Sequence, residues 1–357
     1  MRILIPLLEF GKAGGYRVLS KLANKWIEFG HQVDFIVPIA SIEPYFPTDA
    51  RIYWFNSSGK SCTASDLIPV NEYKFWNRWQ ALYKGMEQLT STYDVVLANH
   101  SLTAYPVYFT KIKAKKFYYI QAYEPEYGIL DGRLSHKILS LLAWNSYNLK
   151  LSKIVNSDVY RNYRNITADK VVFPGLDLSV FYPKSINESK DKKVYKIGCV
   201  GRIEPYKGTK YVLDGFKLLS KQRNDIELHI AFGDKNIENK TDKVFVTTPA
   251  NDLELSDFYR SMNIIVAPGT VQMGGVHYPI IESMACGTSI IATGYYPADN
   301  TNAWMVPIKD SVAIADRIET IINSPDLRNI KIEKALSEVQ QFDWNIVATK
   351  MSNYFKQ

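Results

Sequence analysis

The chain has 357 residues, 46% hydrophobic and 22% charged, which is typical of an ordinary globular protein with about two domains. Its three cysteines lie too far apart for a disulfide framework or a zinc site, so we expect a reducing cytoplasm. No stretch approaches the roughly 18–20 apolar residues that a membrane-spanning helix needs. The apolar start is also too short for a signal peptide and is interrupted by Glu9, so we expect no segment to cross a bilayer.

The net charge of +7 lies in the first half of the chain. Residues 1–175 hold 21 of the 43 basic residues and only 14 of the 36 acidic ones, which leaves the second half neutral. A basic first half indicates an anionic partner for that part of the protein.

The first half alternates strand-like and helix-like segments. Apolar spacing predicts a helix over Gly14–Phe29 and further helices at about 72–90 and 134–150. Runs rich in β-branched and aromatic residues predict strands at Arg2–Leu7, Val33–Val37, Arg51–Phe55, Asp94–Ala98, Lys116–Gln121 and Lys153–Asn156. Alternation of this kind predicts a mostly parallel sheet with helices on both faces.

The second half repeats the pattern after a polar, lysine-rich segment, Ser179–Lys193, which has no periodicity and is typical of a linker. The predicted strands are Tyr195–Val200, Ile226–Phe232, Val244–Val246, Ile264–Ala267 and Ser289–Ala292. We therefore predict an α/β fold of two Rossmann-like, doubly wound domains that face each other across a cleft. The predicted segments are a domain at 1–178, a linker at 179–193, a domain at 194–340 and a final helix at 341–357.

The stretch Gly201–Gly208, GRIEPYKG, follows a predicted strand and opens an amphipathic helix. Doubly wound sheets bind ligands at such strand ends, and helix N-termini favour anions. Arg202 and Lys207 place two cations there, and arginine can bind a phosphate through two hydrogen bonds. The alternative is an ordinary basic turn.

Together with PIIESMACGTSIIAT (Pro279–Thr293), this loop resembles the GT-B glycosyltransferases, specifically glycosyltransferase family 4. Three further segments match the family in the same order along nearly the whole chain: FGKAGGYRVLSKLANKWIEFGHQVDFIV (Phe10–Val37), FPGLDLSVFYP (Phe173–Pro183) and DLELSDFYRSMNIIVAPG (Asp252–Gly269). FDW at Phe342–Trp344 is similar to the start of the family's last helix, which crosses back onto the first domain. The resemblance implies a GT-B fold and transfer of a sugar from a nucleotide donor.

The resemblance also implies roles for individual residues. Arg202 and Lys207 would be catalytic, because they could stabilise the charge that develops on the leaving diphosphate. Glu282 would accept hydrogen bonds from the ribose, or would merely be a carboxylate favoured near a helix N-terminus. The donor-binding set is Gly14, Gly15, Gly201, Arg202, Lys207, Gly274, Gly275, Val276, His277 and Glu282. No Asp-x-Asp motif occurs, so we expect neither a metal nor another cofactor.

A second group of residues is predicted for the acceptor side. Gln121, within YYIQAYEP, occupies the place where many family 4 enzymes carry a catalytic-site histidine; glutamine can hydrogen-bond a hydroxyl but cannot titrate. His100 and Glu124 are candidates for binding the acceptor. The alternatives are a structural histidine and a carboxylate that caps the turn before Pro125.

One residue of the family pattern is missing. Family 4 enzymes commonly carry two glutamates eight positions apart, and here Gly274 stands eight residues before Glu282. We expect His277 or the N–H groups of Gly274 and Gly275 to bind the sugar instead. The Tyr-Pro-x-x-Glu sequence that ends at Glu282 and the stretch YIQAYEP are similar to bacterial dTDP-rhamnosyltransferases. This similarity favours a 6-deoxyhexose donor.

The predicted function is transfer of a hexose or 6-deoxyhexose from a nucleotide sugar to a glycan or glycolipid acceptor in cell-surface polysaccharide or glycolipid synthesis, retaining and without a metal. The alternative is a catalytically silent nucleotide-sugar or glycan-binding subunit of a larger synthase. A sugar-nucleotide epimerase matches the loops less well. Nucleic acid is not an expected partner, because no basic helix with interleaved aromatic residues fits a groove.

A further hypothesis concerns the inner face of the membrane. Aromatic residues interleave with cations in one predicted helix: Tyr73, Lys74, Phe75, Trp76, Arg78, Trp79, Tyr83 and Lys84. A second basic stretch, Lys111–Lys116, follows. This pattern predicts peripheral contact with anionic lipid or an anionic acceptor. The alternative is that Trp76 and Trp79 belong to the core and the lysines to a solvated face.

Overall fold

The computed structural model describes residues 1–126, 134–163, 165–168, 170–183, 194–201, 204–240 and 242–357. The chain divides into two compact units. The first unit comprises Met1–Gly175 and Trp344–Gln357, and the second comprises Leu176–Asp343. None of the helices among these described residues is long and apolar enough to span a bilayer.

The elements alternate along both units. The strands are β1 Arg2–Pro6, β2 Gln32–Pro38, β3 Arg51–Phe55, β4 Ser61–Cys62, β5 Val95–Ala98, β6 Lys115–Ile120, β7 Ser152–Val155, β8 Lys170–Val171, β9 Tyr195–Val200, β10 Ile226–Ala231, β11 Val244–Thr247, β12 Ile264–Ala267, β13 Ser289–Ala292 and β14 Trp304–Met305. The helices are α1 Gly14–Glu28, α2 Phe75–Gln88, α3 Ser101–Phe109, α4 Leu134–Ser146, α5 Thr209–Leu219, α6 Asp252–Ser261, α7 Tyr278–Ala285, α8 Ser311–Asn323, α9 Pro325–Glu338 and α10 Trp344–Lys356.

The first unit is built on an eight-stranded sheet in the order β4-β3-β2-β1-β5-β6-β7-β8. Its paired strands run parallel, except that β4 pairs antiparallel with β3. The chain proceeds from β1 to one side and later returns to β5 on the other side. Ligands of doubly wound sheets bind at such a switch in direction, at the carboxyl ends of the strands.

The last helix belongs to the first unit. The Trp26 indole on α1 donates a hydrogen bond of 3.1 Å to the Ala348 carbonyl on α10, and its ring lies 5.4 Å from that of Phe355. Helices α2 and α3 contribute Leu82, Met86, Ala104 and Val107 to a separate buried cluster. Burial of these apolar side chains stabilises the sheet between its helices.

The second unit has a six-stranded parallel sheet in the order β11-β10-β9-β12-β13-β14, so its switch in direction lies between β9 and β12. Its core includes Cys199 and Phe216, both fully buried. Burial raises the pKa of the Cys199 thiol to about 12. Burial is also the main cause that raises the pKa of the Cys286 thiol to about 12. Both thiols are therefore protonated and unreactive at neutral pH, as expected of core residues.

The expectation of an α/β fold with two doubly wound sheets is confirmed. The predicted strands agree with the observed ones to within one or two residues. Helix α3 was not predicted, because it contains Pro106 and is buried along most of its length, which removes the amphipathic period. Strands β4, β8 and β14 have only two residues each and leave no pattern in the sequence.

The predicted linker begins at Ser179, but a residue near its start packs within the second unit. Phe181 is 1% exposed and its ring lies 6.4 Å from that of Tyr259, so this residue is part of the second unit's core. An aromatic side chain within a polar segment is the signal that the composition argument overlooked. Residues 184–193 lie outside the described residues.

Candidate functional site

Two loops meet at the switch point of the second unit. The loop after β9 ends at Gly208, which has φ +78° and on which a Cβ atom would collide with the carbonyl oxygen of Pro268 in the loop after β12. The Tyr206 carbonyl accepts hydrogen bonds from Thr270, at 2.9 Å from its N–H and 3.2 Å from its hydroxyl. Only glycine permits this close approach, so the two loops are fixed against each other.

The predicted diphosphate cations lie on the first of these loops. Lys207 ends a short 3₁₀ turn directly before α5, with its ammonium group 5.5 Å from the centre of the Tyr206 ring. Gly201 is buried, and a Cβ there would collide with Ile230 on the neighbouring strand. Arg202 lies outside the described residues, so its predicted role stays a prediction.

Backbone N–H groups of the loop after β12 form hydrogen bonds within the protein. Gly274, with φ +83°, donates its N–H to the Gly294 carbonyl at 2.7 Å, and Gly275 donates to Gln272 at 3.1 Å. The expectation that these two N–H groups serve the donor sugar therefore needs correction, because both already have acceptors within the protein. Their role is to form the turn that presents the following residues.

His277 is held by an aromatic ring that sequence reasoning missed. It immediately precedes α7, and its ring stacks on that of Tyr295 with 4.5 Å between centroids and an interplanar angle of 23°. The Tyr295 hydroxyl donates to the Val271 carbonyl at 3.0 Å. The neighbouring Val276 forms an isolated bridge with Tyr296. The signal was the aromatic pair Tyr295–Tyr296, which follows strand β13 after Thr293 and Gly294.

Glu282 lies on α7 and is only 2% exposed. The Tyr259 hydroxyl on α6 donates a 2.8 Å hydrogen bond to one of its carboxylate oxygens. A buried carboxylate needs such donors, because an unpaired buried charge is costly. Tyr259 is thus a second supporting residue that the sequence argument did not single out, and the ribose contact of Glu282 stays a prediction.

In the first unit the structure brings the glycine loop and Gln121 together. Gly14 and Gly15 begin α1 after Ala13, which offers no side-chain cap to the helix N–H groups. A Cβ on Gly15 would lie 3.3 Å from the Gln121 amide nitrogen. The Gln121 carbonyl accepts from the Asn156 side chain at 2.7 Å, while the Gln121 Oε1 is buried without a hydrogen-bond partner in the part of the chain that the structure describes.

The two acceptor candidates are also neighbours. The His100 Nε2 lies 3.4 Å from the Glu124 carboxylate, which in turn accepts from the Ser101 N–H at 3.0 Å. Leu102 donates its N–H to His100 Nδ1 at 3.1 Å, so we infer that the proton resides on Nε2, which faces the carboxylate. His100 therefore caps α3, as the structural alternative predicted, and still exposes 42% of its side chain.

Tyr16 on α1 is a further residue near these side chains that the sequence argument did not single out. Burial is the main cause that raises the pKa of its hydroxyl, and the carboxylates of Glu9 and Glu124 add to the effect. Glu9 itself pairs with Arg78 at 2.6 Å. Among the described residues, no group of three or more histidine, cysteine, aspartate or glutamate side chains could hold a metal.

The aromatic helix α2 is less free for lipid than predicted. Trp76 is 64% exposed, which contradicts the alternative that places it in the core, and Trp79 stacks on Tyr83 at 5.1 Å. Arg78, however, is engaged by Glu9, and Lys84 donates to the Ser57 carbonyl at 3.3 Å. Both cations within this helix thus make contacts inside the first unit.

A substitution at Gly208 tests the contact between the loop after β9 and the loop after β12. Gly208→Ala places a methyl group against the Pro268 carbonyl at a positive φ, and we expect a loss of stability clearly beyond the roughly 1–3 kcal/mol of the φ strain alone. Gly287→Ala is the matched control in the same unit, because its φ is +69° and its nearest atom would be 3.3 Å away. Chemical denaturation measures both; equal losses for the two variants would show that the loops are not in firm contact.

The comparisons with known proteins agree with this geometry. Residues 194–324 match the family model described as glycosyl transferases group 1. The chain is 28% identical over 198 residues to the D-inositol 3-phosphate glycosyltransferase of Arthrobacter sp. (strain FB24). That match covers 49% of this chain and 47% of the relative, so the chain spans about half the length of that protein.

Solved structures share the fold over the whole length. Sucrose-phosphate synthase from Thermosynechococcus elongatus superposes with a TM-score of 0.77 at 17% identity, covering 100% of this chain and 98% of that one. Anabaena HepE in complex with UDP and glucose gives a TM-score of 0.70 at 14% identity, with 100% of both chains covered. The chain therefore has the GT-B fold of these structures, and residues 194–324 of its second unit are similar to group 1 glycosyl transferases.

Proposed function

We propose that the protein transfers a hexose or 6-deoxyhexose from a nucleotide sugar to a glycan or glycolipid acceptor. The observation that carries the proposal is the contact of the β9 and β12 loops at the switch point of a group 1 glycosyl transferase domain. The HepE structure, described as a complex with UDP and glucose, supports a nucleotide sugar as the donor class.

The donor diphosphate would bind at the start of α5. Lys207 precedes this helix, Arg202 would supply a second positive charge, and the N-terminal end of α5 adds its dipole. As the bond to the sugar breaks, negative charge grows on the departing phosphate, and fixed cations stabilise that charge more than they stabilise the ground state. These two side chains would do this without a metal.

The nucleoside would lie toward α7, where Glu282 would accept hydrogen bonds from the ribose and Tyr259 would hold its carboxylate in place. His277, positioned by Tyr295, would contact the sugar. Reaction on the same face of the sugar, with the departing phosphate accepting the acceptor's proton, would retain the anomeric configuration. The proposal assigns no protein nucleophile.

The acceptor would bind at the carboxyl edge of the first unit's sheet. The Glu124 carboxylate can accept a hydrogen bond from an acceptor hydroxyl, and the exposed imidazole of His100 would line the acceptor site beside it. Gln121, whose Oε1 lacks a described partner, adds a neutral acceptor beside Gly15. A basic first unit suits phosphate-bearing, lipid-linked acceptors at the inner face of a membrane.

A screen of nucleotides is the direct test. We expect one of UDP, dTDP, GDP and ADP to raise the midpoint of thermal unfolding, because a ligand that binds only the folded state stabilises it. The corresponding nucleotide sugars are then assayed for release of the nucleotide with and without acceptor glycans. Binding without turnover would favour the second candidate, a silent subunit of a synthase, whereas no response to any nucleotide would contradict both.

A further inference from the structure

Helix α4 of the first unit presents three large apolar side chains outward. Ile138, Leu141 and Trp144 are 56%, 60% and 38% exposed. The buried side chains of the same helix include those of Ser140, Ala143 and Ser146. A helix that only covers a core shows the reverse arrangement, with apolar residues inside and polar residues outside. The outer stripe of α4 therefore requires its own explanation.

The orientation of α4 is fixed by close packing of its small side chains. The Tyr105 hydroxyl on α3 donates to the Leu142 carbonyl at 2.7 Å. The Ser146 hydroxyl donates to the Ala143 carbonyl at 2.7 Å and lies 3.4 Å from the buried Tyr118 hydroxyl. A rotation that turned the apolar stripe inward would break the contacts to Tyr105 and Tyr118 and force leucine and tryptophan into the space that serine and alanine occupy.

The end of the neighbouring helix α3 exposes a further large apolar side chain. Phe109 is 54% exposed at the last position of α3. Lys116 donates to the carbonyls of Tyr108 and Thr110, which fixes this helix end. Because α3 and α4 each connect two neighbouring parallel strands, their carboxyl ends lie at the same edge of the sheet. We call Phe109, Ile138, Leu141 and Trp144 the docking face.

Lysines outnumber carboxylates around the docking face. Residues 95–123 and 134–157 contain no aspartate or glutamate. Exposed lysines flank the face at Lys111, Lys113, Lys137 and Lys150. Glu87 on α2 is the nearby carboxylate, and it accepts hydrogen bonds from the Thr110 hydroxyl and the Lys111 N–H. An exposed apolar patch rimmed by cations fits an apolar layer beneath negative charge.

We propose that the docking face binds an anionic lipid surface. Leucine, isoleucine, phenylalanine and tryptophan enter the boundary between headgroups and acyl chains, while the lysines contact the anionic headgroups. A second copy of the chain suits the face less well, because it would bring lysines against lysines. The inference rests on the proposed function only in that a membrane would supply a lipid-linked acceptor, and it moves the expected contact from α2 to α4.

Co-sedimentation with vesicles tests the proposal on the full chain. We expect binding to vesicles of phosphatidylglycerol and phosphatidylcholine, and much weaker binding to phosphatidylcholine alone. The variant Leu141→Ser/Trp144→Ser should lose at least about tenfold of its partitioning, because it removes two apolar anchors. Trp76→Ser, which removes a still more exposed tryptophan from α2, is the control and should bind as the unaltered protein does.

Three outcomes would overturn the proposal: undiminished binding by the α4 variant, loss of binding by Trp76→Ser instead, or a dimer in light scattering that the α4 variant dissociates. Circular dichroism and the thermal midpoint confirm that each variant is folded. A second pair, Lys137→Gln/Lys150→Gln, should weaken binding to the anionic vesicles alone. Nucleotide-induced thermal shifts, measured on the same samples, report on the second unit and separate failure of lipid docking from failure of the proposed function.

Discussion

Replacing either cation of the GRIEPYKG loop should lower kcat by about 10²–10³-fold. Arg202→Ala and Lys207→Ala each remove a positive charge that we place at the leaving diphosphate, where charge develops as the sugar departs. Interactions that strengthen in the transition state change kcat, whereas interactions equal in both states change KM alone. We therefore expect the loss to appear chiefly in kcat, measured by release of the nucleotide at saturating donor.

Lys210→Ala is the control for this pair. Lys210 lies three residues further along, is 77% exposed and pairs with Asp214 at 2.9 Å on the surface of α5. Its removal takes away one positive charge close to the loop and should change kcat by less than about twofold, since exposed pairs contribute little. If Arg202→Ala and Lys207→Ala both remained within about threefold of the unaltered protein, with nucleotide affinity unchanged, the diphosphate assignment would be wrong.

The sequence predicts the fold well because each central strand is a short, bounded apolar run. Strands β9, β12 and β13 were predicted with their observed limits. Strands β12 and β13 are buried along their whole length, and polar residues precede both of them, so the apolar run has a clear start. Helix α3 shows where this reasoning stops. Its buried, proline-containing sequence has no polar face, and only the packing between α2 and α4 determines that it is helical.

The candidate site was predicted in part, for a physical reason. Motifs identify residues near a ligand, such as Gly208 and Glu282, because their chemistry is visible in the sequence. The residues that support them are invisible there: Tyr295 stacks on His277, and Tyr259 holds Glu282, across separations that only the fold determines. The backbone N–H of Gly274 illustrates the same limit, because the carbonyl that accepts its hydrogen bond belongs to Gly294, twenty positions away in the sequence.

The second prediction with a large expected effect concerns which nucleotide sugar the protein prefers as its donor. Gly274 stands where the family resemblance leads us to expect a sugar-binding carboxylate, and its N–H is already bonded to the Gly294 carbonyl. Neither a carboxylate nor this amide can then pair with a sugar hydroxyl at that point. A donor with fewer hydroxyls leaves fewer polar groups unpaired on binding, and unpaired buried polar groups are costly. We therefore predict a preference for a 6-deoxyhexose, with rhamnose first, over glucose or mannose.

The preference should amount to about 10²-fold in kcat/KM, because a pocket that lacks hydrogen-bond partners rejects an extra hydroxyl only to that extent. Restoring the carboxylate is not a clean test, since Gly274→Glu would force a side chain into φ +83° at a cost of about 1–3 kcal/mol. The test compares dTDP-rhamnose, UDP-glucose and GDP-mannose as donors for the unaltered protein. His277→Phe keeps the stacking on Tyr295 but removes the ring nitrogens, and it should lower kcat/KM for the preferred donor while leaving the affinity for the free nucleotide unchanged. Efficient turnover of UDP-glucose without any response to dTDP-rhamnose would show that Gly274 shapes the turn alone and does not select the sugar.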